Sequence, residues 1–264
     1  MTLIVPVFNE CSRWDKYYWI EALAIPGINW IFVNDGSSDA SQELLEELLT
    51  FENLVVINQG VNLGKAEAIR TGFNYYSANN EDHFQTEAIQ RTLIGYIDAD
   101  CAFSTAEIER FKKITVDDSL GLISNGFESV WSSRVLLKGH MIKRKKTRHY
   151  IGRLIATVLS FADPHIPYDS QSGFKIFVCT PDLIKIFHEK FKTKWFIDLE
   201  IAARYGAISG KRLRIWEEPL YFWKEIGGSA LTLRSFPNIV LEVTRIFRIL
   251  LRQPKESHHS ESLL

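Results

Sequence analysis

The stretch Leu93-Ile94-Gly95-Tyr96-Ile97-Asp98-Ala99-Asp100 sets an apolar run of strand length directly against two carboxylates one residue apart. So short an apolar run, stopped by charge, reads as a strand buried on both faces of a sheet. Leu3–Val7, Trp30–Asn34 and Leu54–Asn58 have the same length and character. Between them, Glu43–Leu49 and Ala66–Tyr76 carry helical spacing, the second placing Ile69, Gly72, Phe73 and Tyr76 on one face. Strands alternating with helices through the first hundred residues predict an α/β unit with a mostly parallel central sheet flanked by helices.

Downstream, Ser104-Thr105-Ala106-Glu107 predicts a capping box, serine and glutamate each satisfying the other's orphan amide. Thr180-Pro181 opens another helix, because proline at the first helical position gives up no needed donor. Phe174–Val178 and Leu213–Trp216 are expected to return strands to the sheet after a long excursion from Phe127 to Ser172. An excursion of that length is functional or contains its own helix. Near the C-terminus, Ile239, Val243, Ile246 and Leu250 share one helical face. That face either packs on its own protein or lies in a membrane interface. From Gln253 onward the chain reads as a solvated tail.

Composition narrows the class. With 264 residues, 46% hydrophobic and 24% charged, the chain can build a sizeable core and is neither disordered nor fibrous. A formal net charge of -1 gives no overall pull toward nucleic acid. Cys11, Cys101 and Cys179 fit neither a disulfide framework nor a metal knuckle, so a reducing cytoplasm is the expected compartment. The chain opens on what reads as a strand, without a basic region or cleavage site, and no signal peptide is expected. No apolar stretch is long enough to cross a bilayer of about 30 Å.

Four features carry chemistry. Pro6-Val7-Phe8-Asn9-Glu10 leaves the first strand, and in open α/β sheets ligands collect at such carboxyl ends; an aromatic ring with a carboxylate there suits a base and ribose. Val33-Asn34-Asp35-Gly36-Ser37-Ser38-Asp39 leaves the second, with Asp35 able to accept from the imide of a uracil-type ring and the rest turning the chain. Asp98 and Asp100 can share a hard divalent cation, Asp100 as direct ligand and Asp98 placed for metal, ribose or both; a diphosphate leaving group needs such a charge. Finally, Asp169 to Lys175, Trp195 to Glu200 and Trp223 to Ser229 set aromatic rings beside carboxylates, a pattern that suits a sugar. Trp195, Phe196 and Phe174 read equally as core.

Together with Asn62-Leu63-Gly64-Lys65-Ala66 and Gly72, these motifs in this order resemble glycosyltransferase family 2 and its GT-A fold. Ser133-Arg134, Gln171-Ser172-Gly173-Phe174-Lys175 and the later aromatic motifs are similar to the dolichyl-phosphate and polyprenyl-phosphate glycosyltransferases, the glucosyl branch above all. The resemblance implies that Pro6, Phe8, Glu10, Val33, Asp35, Lys65, Asp98, Ala99 and Asp100 bind the nucleotide sugar, with Mg2+ or Mn2+ on Asp98 and Asp100. It implies that Arg134 and Arg148 meet phosphate or acceptor. The implied division is a nucleotide-sugar-binding half over 1–110, an acceptor-binding half of the same domain over 111–234, a C-terminal amphipathic helix over 235–252 and a disordered tail over 253–264. Asn34, Phe8 and Ala102 depart from commoner residues of the family, and the Gln-x-x-Arg-Trp signature of processive synthases is absent, which favours a single transfer.

The implied reaction is an inverting transfer of a hexose from a UDP- or GDP-sugar, UDP-glucose first, to a polyprenyl or dolichyl phosphate. Such an acceptor is already largely ionised near neutral pH and needs no strong base. The alternative is a soluble family 2 enzyme acting on a hydroxyl of a glycan, lipid or small molecule. That acceptor requires a base, for which Asp198 is the candidate, read on a short strand beside Trp195, with Asp169 and Glu200 behind it. The basic run from Lys138 to Arg153 reads in three ways: a loop gripping acceptor phosphate, a segment resting on an anionic membrane surface, or a solvated helix face. The expected location is the cytoplasm, with peripheral contact on the cytoplasmic membrane face. No nucleic-acid partner is expected.

Overall fold

The computed structural model describes residues 1–80, 92–144, 146–227 and 236–252. The expected tail over 253–264 lies outside them. Among the described residues a seven-stranded sheet runs in the order β3-β2-β1-β4-β7-β5-β8. Its strands are β1 (Thr2–Val7), β2 (Asn29–Asn34), β3 (Leu54–Asn58), β4 (Leu93–Ile97), β5 (Ser129–Ser133), β7 (Phe174–Val178) and β8 (Ile215–Pro219). A small second sheet pairs β6 (Met141–Lys143) with β9 (Phe222–Lys224) in parallel.

The continuous apolar runs are explained by burial on both sides. Leu3, Val5, Val7, Trp30 and Phe32 point into one core layer; Ile4, Ile31, Val33, Ile94 and Tyr96 point into the other. The first layer is closed by α1 (Lys16–Leu23), α2 (Ser41–Glu46) and α4 (Thr105–Thr115), and the second by α3 (Lys65–Ala78), α6 (Pro181–His188) and α7 (Ile197–Ser209). A third cluster joins α5 (Lys146–Ser160) and α7 to α8 (Phe236–Leu250) through Leu159, Phe196, Leu199, Ala203, Ile246 and Leu250. The stripe on α8 therefore packs on its own protein.

Strand directions decide where the chemistry gathers. β1 pairs in parallel with β2 and β4, so all three end at one edge. β7 is antiparallel to β4, setting Phe174 opposite Ile97, so β7 begins where β4 ends. β5 is antiparallel to β7 and parallel to β8, which brings the ends of β5 and β8 to that same edge. Residues from both halves of the chain thus meet at a single rim, the usual ligand side of such sheets.

Local expectations were met unevenly. Thr180 accepts from the Leu183 amide at 3.1 Å, as proline at the next position anticipates. Ser104 accepts from the Glu107 amide at 3.3 Å, but the Glu107 carboxylate does not return to Ser104. It is buried and accepts instead from Tyr221 and Phe222 at 2.6 and 3.0 Å, tying α4 to the turn between β8 and β9. The expected strand over Leu213–Trp216 begins two residues later, as Leu213 turns into the core. The segment carrying Asp198 is the first turn of α7, not a strand; two acids there suit the positive end of a helix.

Candidate active site

At the exits of β1 and β2 the backbone turns are fastened to each other. The Asn9 amide donates to Ser37 Oγ at 3.1 Å, Glu10 to Ser41 Oγ at 2.8 Å, and Ser38 to Asn9 Oδ1 at 2.8 Å. Asp35 accepts from the Leu63 and Gly64 amides at 2.7 and 2.8 Å. Its carboxylate, 2% exposed, therefore anchors the loop ahead of α3, and burial pushes its pKa up. That loop lies so close to Gly36 (φ +65°) that a Cβ would stand 2.5 Å from the Val61 carbonyl carbon, which only glycine avoids. Phe8 is 42% exposed beside these turns, an open ring face. Val33 and Ala99 are buried in the core layers; only their backbones are left to meet a ligand.

At the end of β4, Asp98 accepts Lys65 Nζ at 2.5 Å, and its amide donates to the Gly173 carbonyl at 3.0 Å. Asp100 accepts from the Ala102 amide at 3.2 Å around Cys101, which holds a left-handed φ of 56°. A non-glycine residue in that region is strained, and here it turns the chain directly after Asp100. Burial and the neighbouring Asp98 raise the Asp100 pKa. Glu10 joins the cluster: it pairs with Arg13, while its Oε2 is buried without a hydrogen bond. Burial, reinforced by Asp100 and Asp98 and partly offset by Arg13, pushes Glu10 from 4.5 up to about 7.

That shift fixes a pH dependence. The unfolded chain releases the Glu10 proton first, so stability present below pH 4.5 is lost as pH rises through about 7. Without added cation, Glu10→Gln is expected to flatten this slope and to stabilise the protein above pH 7 by up to about 2 kcal/mol. Denaturant melts at pH 5 and pH 8 check it; parallel slopes in both proteins would remove Glu10 as the cause.

Gly173 closes the Asp98 side. A Cβ on it would stand 1.9 Å from Asp98 Oδ2, so the aspartate has its position only because residue 173 has no side chain. Gly173→Ala must displace Asp98, and we expect donor turnover to fall at least about a hundredfold while the fold persists. Circular dichroism alongside the assay separates the two effects.

Four buried side chains have roles that the sequence reading did not assign. Lys175 is 0% exposed, holds Asp198 Oδ1 at 2.8 Å, donates to the Ser172 carbonyl and lies 4.8 Å from the Trp131 ring centroid. Tyr96 donates its hydroxyl to the same Asp198. Ser132 and Ser172 meet through their hydroxyls at 2.5 Å. The available signal was a lysine inside the apolar run Phe174-Lys175-Ile176-Phe177, since a buried charge needs a partner. At the end of β5, Arg134 grips Asp169 through Nε and Nη2, both at 2.7 Å, and lies 5.1 Å from the Trp223 ring centroid. Against the burial that would raise it, Arg134 holds Asp169 down to about 2. Arg148 falls in the first turn of α5, and its side chain lies outside the described atoms.

The edge therefore gathers Glu10, Asp98, Asp100 and Lys65 on one side, and Arg134 with Asp169 and Lys175 with Asp198 on the other. A separate cavity of about 50 Å³ beside Asp163 and Arg212, between α7 and α8, is far too small for a nucleotide sugar.

The family model for Glycosyl transferase family 2 matches residues 2–164. Two relatives from Trichomonas vaginalis, dolichyl-phosphate beta-glucosyltransferases ALG5A and ALG5C, are 26% and 27% identical over 260 and 257 residues. Each alignment spans 93% of this chain, with 72% and 70% of the relatives covered. Among solved structures, S. aureus TarS 1-349 in complex with UDP superposes with a TM-score of 0.56 at 16% identity, over 98% of this chain and 67% of that one. Mannosyltransferase PcManGT from Pyrobaculum calidifontis, in complex with GDP-Man and Mn2+, gives 0.58 at 15%, over 97% and 65%. Glucosyl-3-phosphoglycerate synthase from Mycobacterium tuberculosis, in complex with Mn2+, UDP and glucosyl-3-phosphoglycerate, gives 0.57 at 12%, over 97% and 81%. At these identities the superpositions speak for the fold, which is GT-A.

Proposed function

The chain belongs to glycosyl transferase family 2 and is a glycosyltransferase, and from that premise we propose a specific transfer. It moves a hexose, glucose on UDP as first choice, from a nucleoside-diphosphate sugar to a polyprenyl or dolichyl phosphate, with Mg2+ or Mn2+. The observation that carries the reading is the crowding of Asp98, Asp100 and Glu10 at the strand ends, with Glu10 Oε2 left without a partner. Asp98 and Asp100 raise the Glu10 pKa behind its burial, and Asp98 raises that of Asp100, a crowding of negative charge that fits a hard cation. Among the described residues no three His, Cys, Asp or Glu form a ready-made cage. Two aspartates that share a cation with substrate oxygens are a usual arrangement for Mg2+. When bound, such a cation neutralises charge on a departing diphosphate.

The remaining roles belong to side chains. Phe8 offers its ring to the base, and Lys65, at the first turn of α3, stands beside Asp98 where a diphosphate gains both an ammonium and a helix N-terminus. Asp169 and Trp223 hold Arg134 in one orientation, so its remaining donors meet acceptor phosphate without reorganisation. Of the three candidate bases, Asp169 and Asp198 are each paired with a buried cation, and Glu200 is paired with Arg204. Asp169, held near 2, is a poor base, and the ion pairing of all three candidates favours an acceptor that is already anionic over a hydroxyl. The relatives named as dolichyl-phosphate glucosyltransferases point to the same acceptor class. Among the described residues no helix is long and apolar enough to cross a membrane. The location that goes with a lipid-phosphate acceptor is the cytoplasm, with peripheral contact on the cytoplasmic membrane face.

The test offers purified full chain UDP-glucose, UDP-GlcNAc and GDP-mannose, each with Mn2+ or Mg2+, and a short-chain polyprenyl phosphate or the matching polyprenol in detergent. Mass spectrometry should find glucose on the phosphate lipid alone. Transfer to the alcohol in preference to the phosphate would sink the reading.

A further inference from the structure

From residue 129 to residue 162 the chain contains eight Lys or Arg and no Asp or Glu. Within this stretch, α5 carries apolar residues on its inward face and on the exposed face beside it. Leu159 is buried and packs with Ile155 in the cluster shared with α7 and α8. On the outward side Tyr150, Ile151, Leu154 and Val158 are 69%, 51%, 65% and 39% exposed, and Phe161, just past the helix, is 80% exposed. At 3.6 residues per turn these five fall within an arc of about 100°. A surface helix normally turns charge outward, and a contiguous apolar patch left exposed marks an interaction surface.

The flanks say what covers it. Lys138 and Lys143 are exposed just before the helix. Arg144 approaches Gly152 and depresses the Asp169 carboxyl through space. Arg153 donates to the Tyr168 carbonyl at 3.0 Å and lies 3.9 Å from its ring centroid, and Tyr168, 46% exposed, precedes Asp169. The apolar arc therefore continues into the Arg134 side of the site, bordered by cations and aromatic rings. Apolar side chains framed by Lys, Arg and Tyr match the boundary layer of an anionic bilayer.

We propose that the outward face of α5, with Phe161 and the bordering cations, seats this protein on an anionic lipid surface and sets its acceptor end at the membrane plane. The inference rests on the acceptor reading only for the purpose of the docking; its test uses neither acceptor nor donor.

Full-length protein is floated with vesicles of phosphatidylcholine alone or enriched in phosphatidylglycerol. Binding should require the anionic lipid and weaken with salt. Leu154→Ser with Phe161→Ser should lower vesicle affinity at least about tenfold while leaving the thermal midpoint and UDP binding unchanged. Lys138→Glu with Lys143→Glu should lower it roughly tenfold. Wild-type protein that floats with neither vesicle overturns the proposal, as does a Leu154→Ser/Phe161→Ser protein that floats like wild type. A dimer in light scattering that this double variant dissociates, with no vesicle binding, assigns the face to a second copy and also overturns it. Turnover of short-chain polyprenyl phosphate in detergent reports the acceptor reading separately, so the two can fail independently.

Discussion

Asp100→Ala is expected to yield a folded protein in which donor binding no longer responds to Mn2+ or Mg2+ and transfer falls roughly a thousandfold, about 4 kcal/mol of lost transition-state stabilisation. The fold should not suffer. Among the described residues Asp100 makes one hydrogen bond, accepting from the Ala102 amide, and burial together with Asp98 already disfavours its charge. Removing it relieves that repulsion, so the cation-free variant should melt at or above the wild-type temperature. Calorimetry of UDP binding with and without Mn2+ reads the first effect, and a thermal melt the second. Turnover retained within a few-fold would remove Asp100 as a ligand.

The second large effect concerns the buried ion pair. Lys175→Met leaves Asp198 buried with only the Tyr96 hydroxyl as a described partner, because Lys175 is its sole cation at 2.8 Å among the described residues. Breaking one side of such a pair costs about 3–5 kcal/mol, which for a chain of this size lowers the melting midpoint by about 10 °C. The same change releases the Ser172 carbonyl, next to the glycine that receives the Asp98 amide, so donor binding should weaken as well. Adding Asp198→Asn removes the stranded charge and should recover most of the midpoint, a non-additive result that a double-mutant cycle measures directly. Activity then decides the role of Asp198. A refolded double variant that transfers to a phosphate acceptor within about tenfold of wild type makes Asp198 a positioning residue. A loss of a thousandfold or more in kcat at saturating donor, beyond that of Lys175→Met alone, makes it the base.

The two halves of the chain were unequally legible. The strands β1 to β4 and α3 show as local patterns, since a strand buried on both faces needs nothing but a short apolar run. The segment from Trp195 to Glu200 misled because aromatic and β-branched residues favour strands, while tertiary packing of Ile197, Leu199 and Ile201 made it a helix. β5 left no apolar signature. Its serines are buried, and the partners of Ser129 and Ser132, the Ile176 carbonyl and Ser172, lie 47 and 40 residues away.

The sequence by itself determined the sheet-and-helix plan and the acidic exits of its strands, because period, strand length and carboxylate placement are properties of a few consecutive residues. Only the tertiary structure decided which charges meet. Arg134 with Asp169, Lys175 with Asp198 and Lys65 with Asp98 are separated by 35, 23 and 33 positions, differences read directly from their numbers. Antiparallel β7, inserted between β4 and β5, delivers the first two pairs to the rim where the parallel strands already bring Lys65 and Asp98. Ion pairing depends on distance in space, and no local pattern encodes that distance once the chain has folded back on itself.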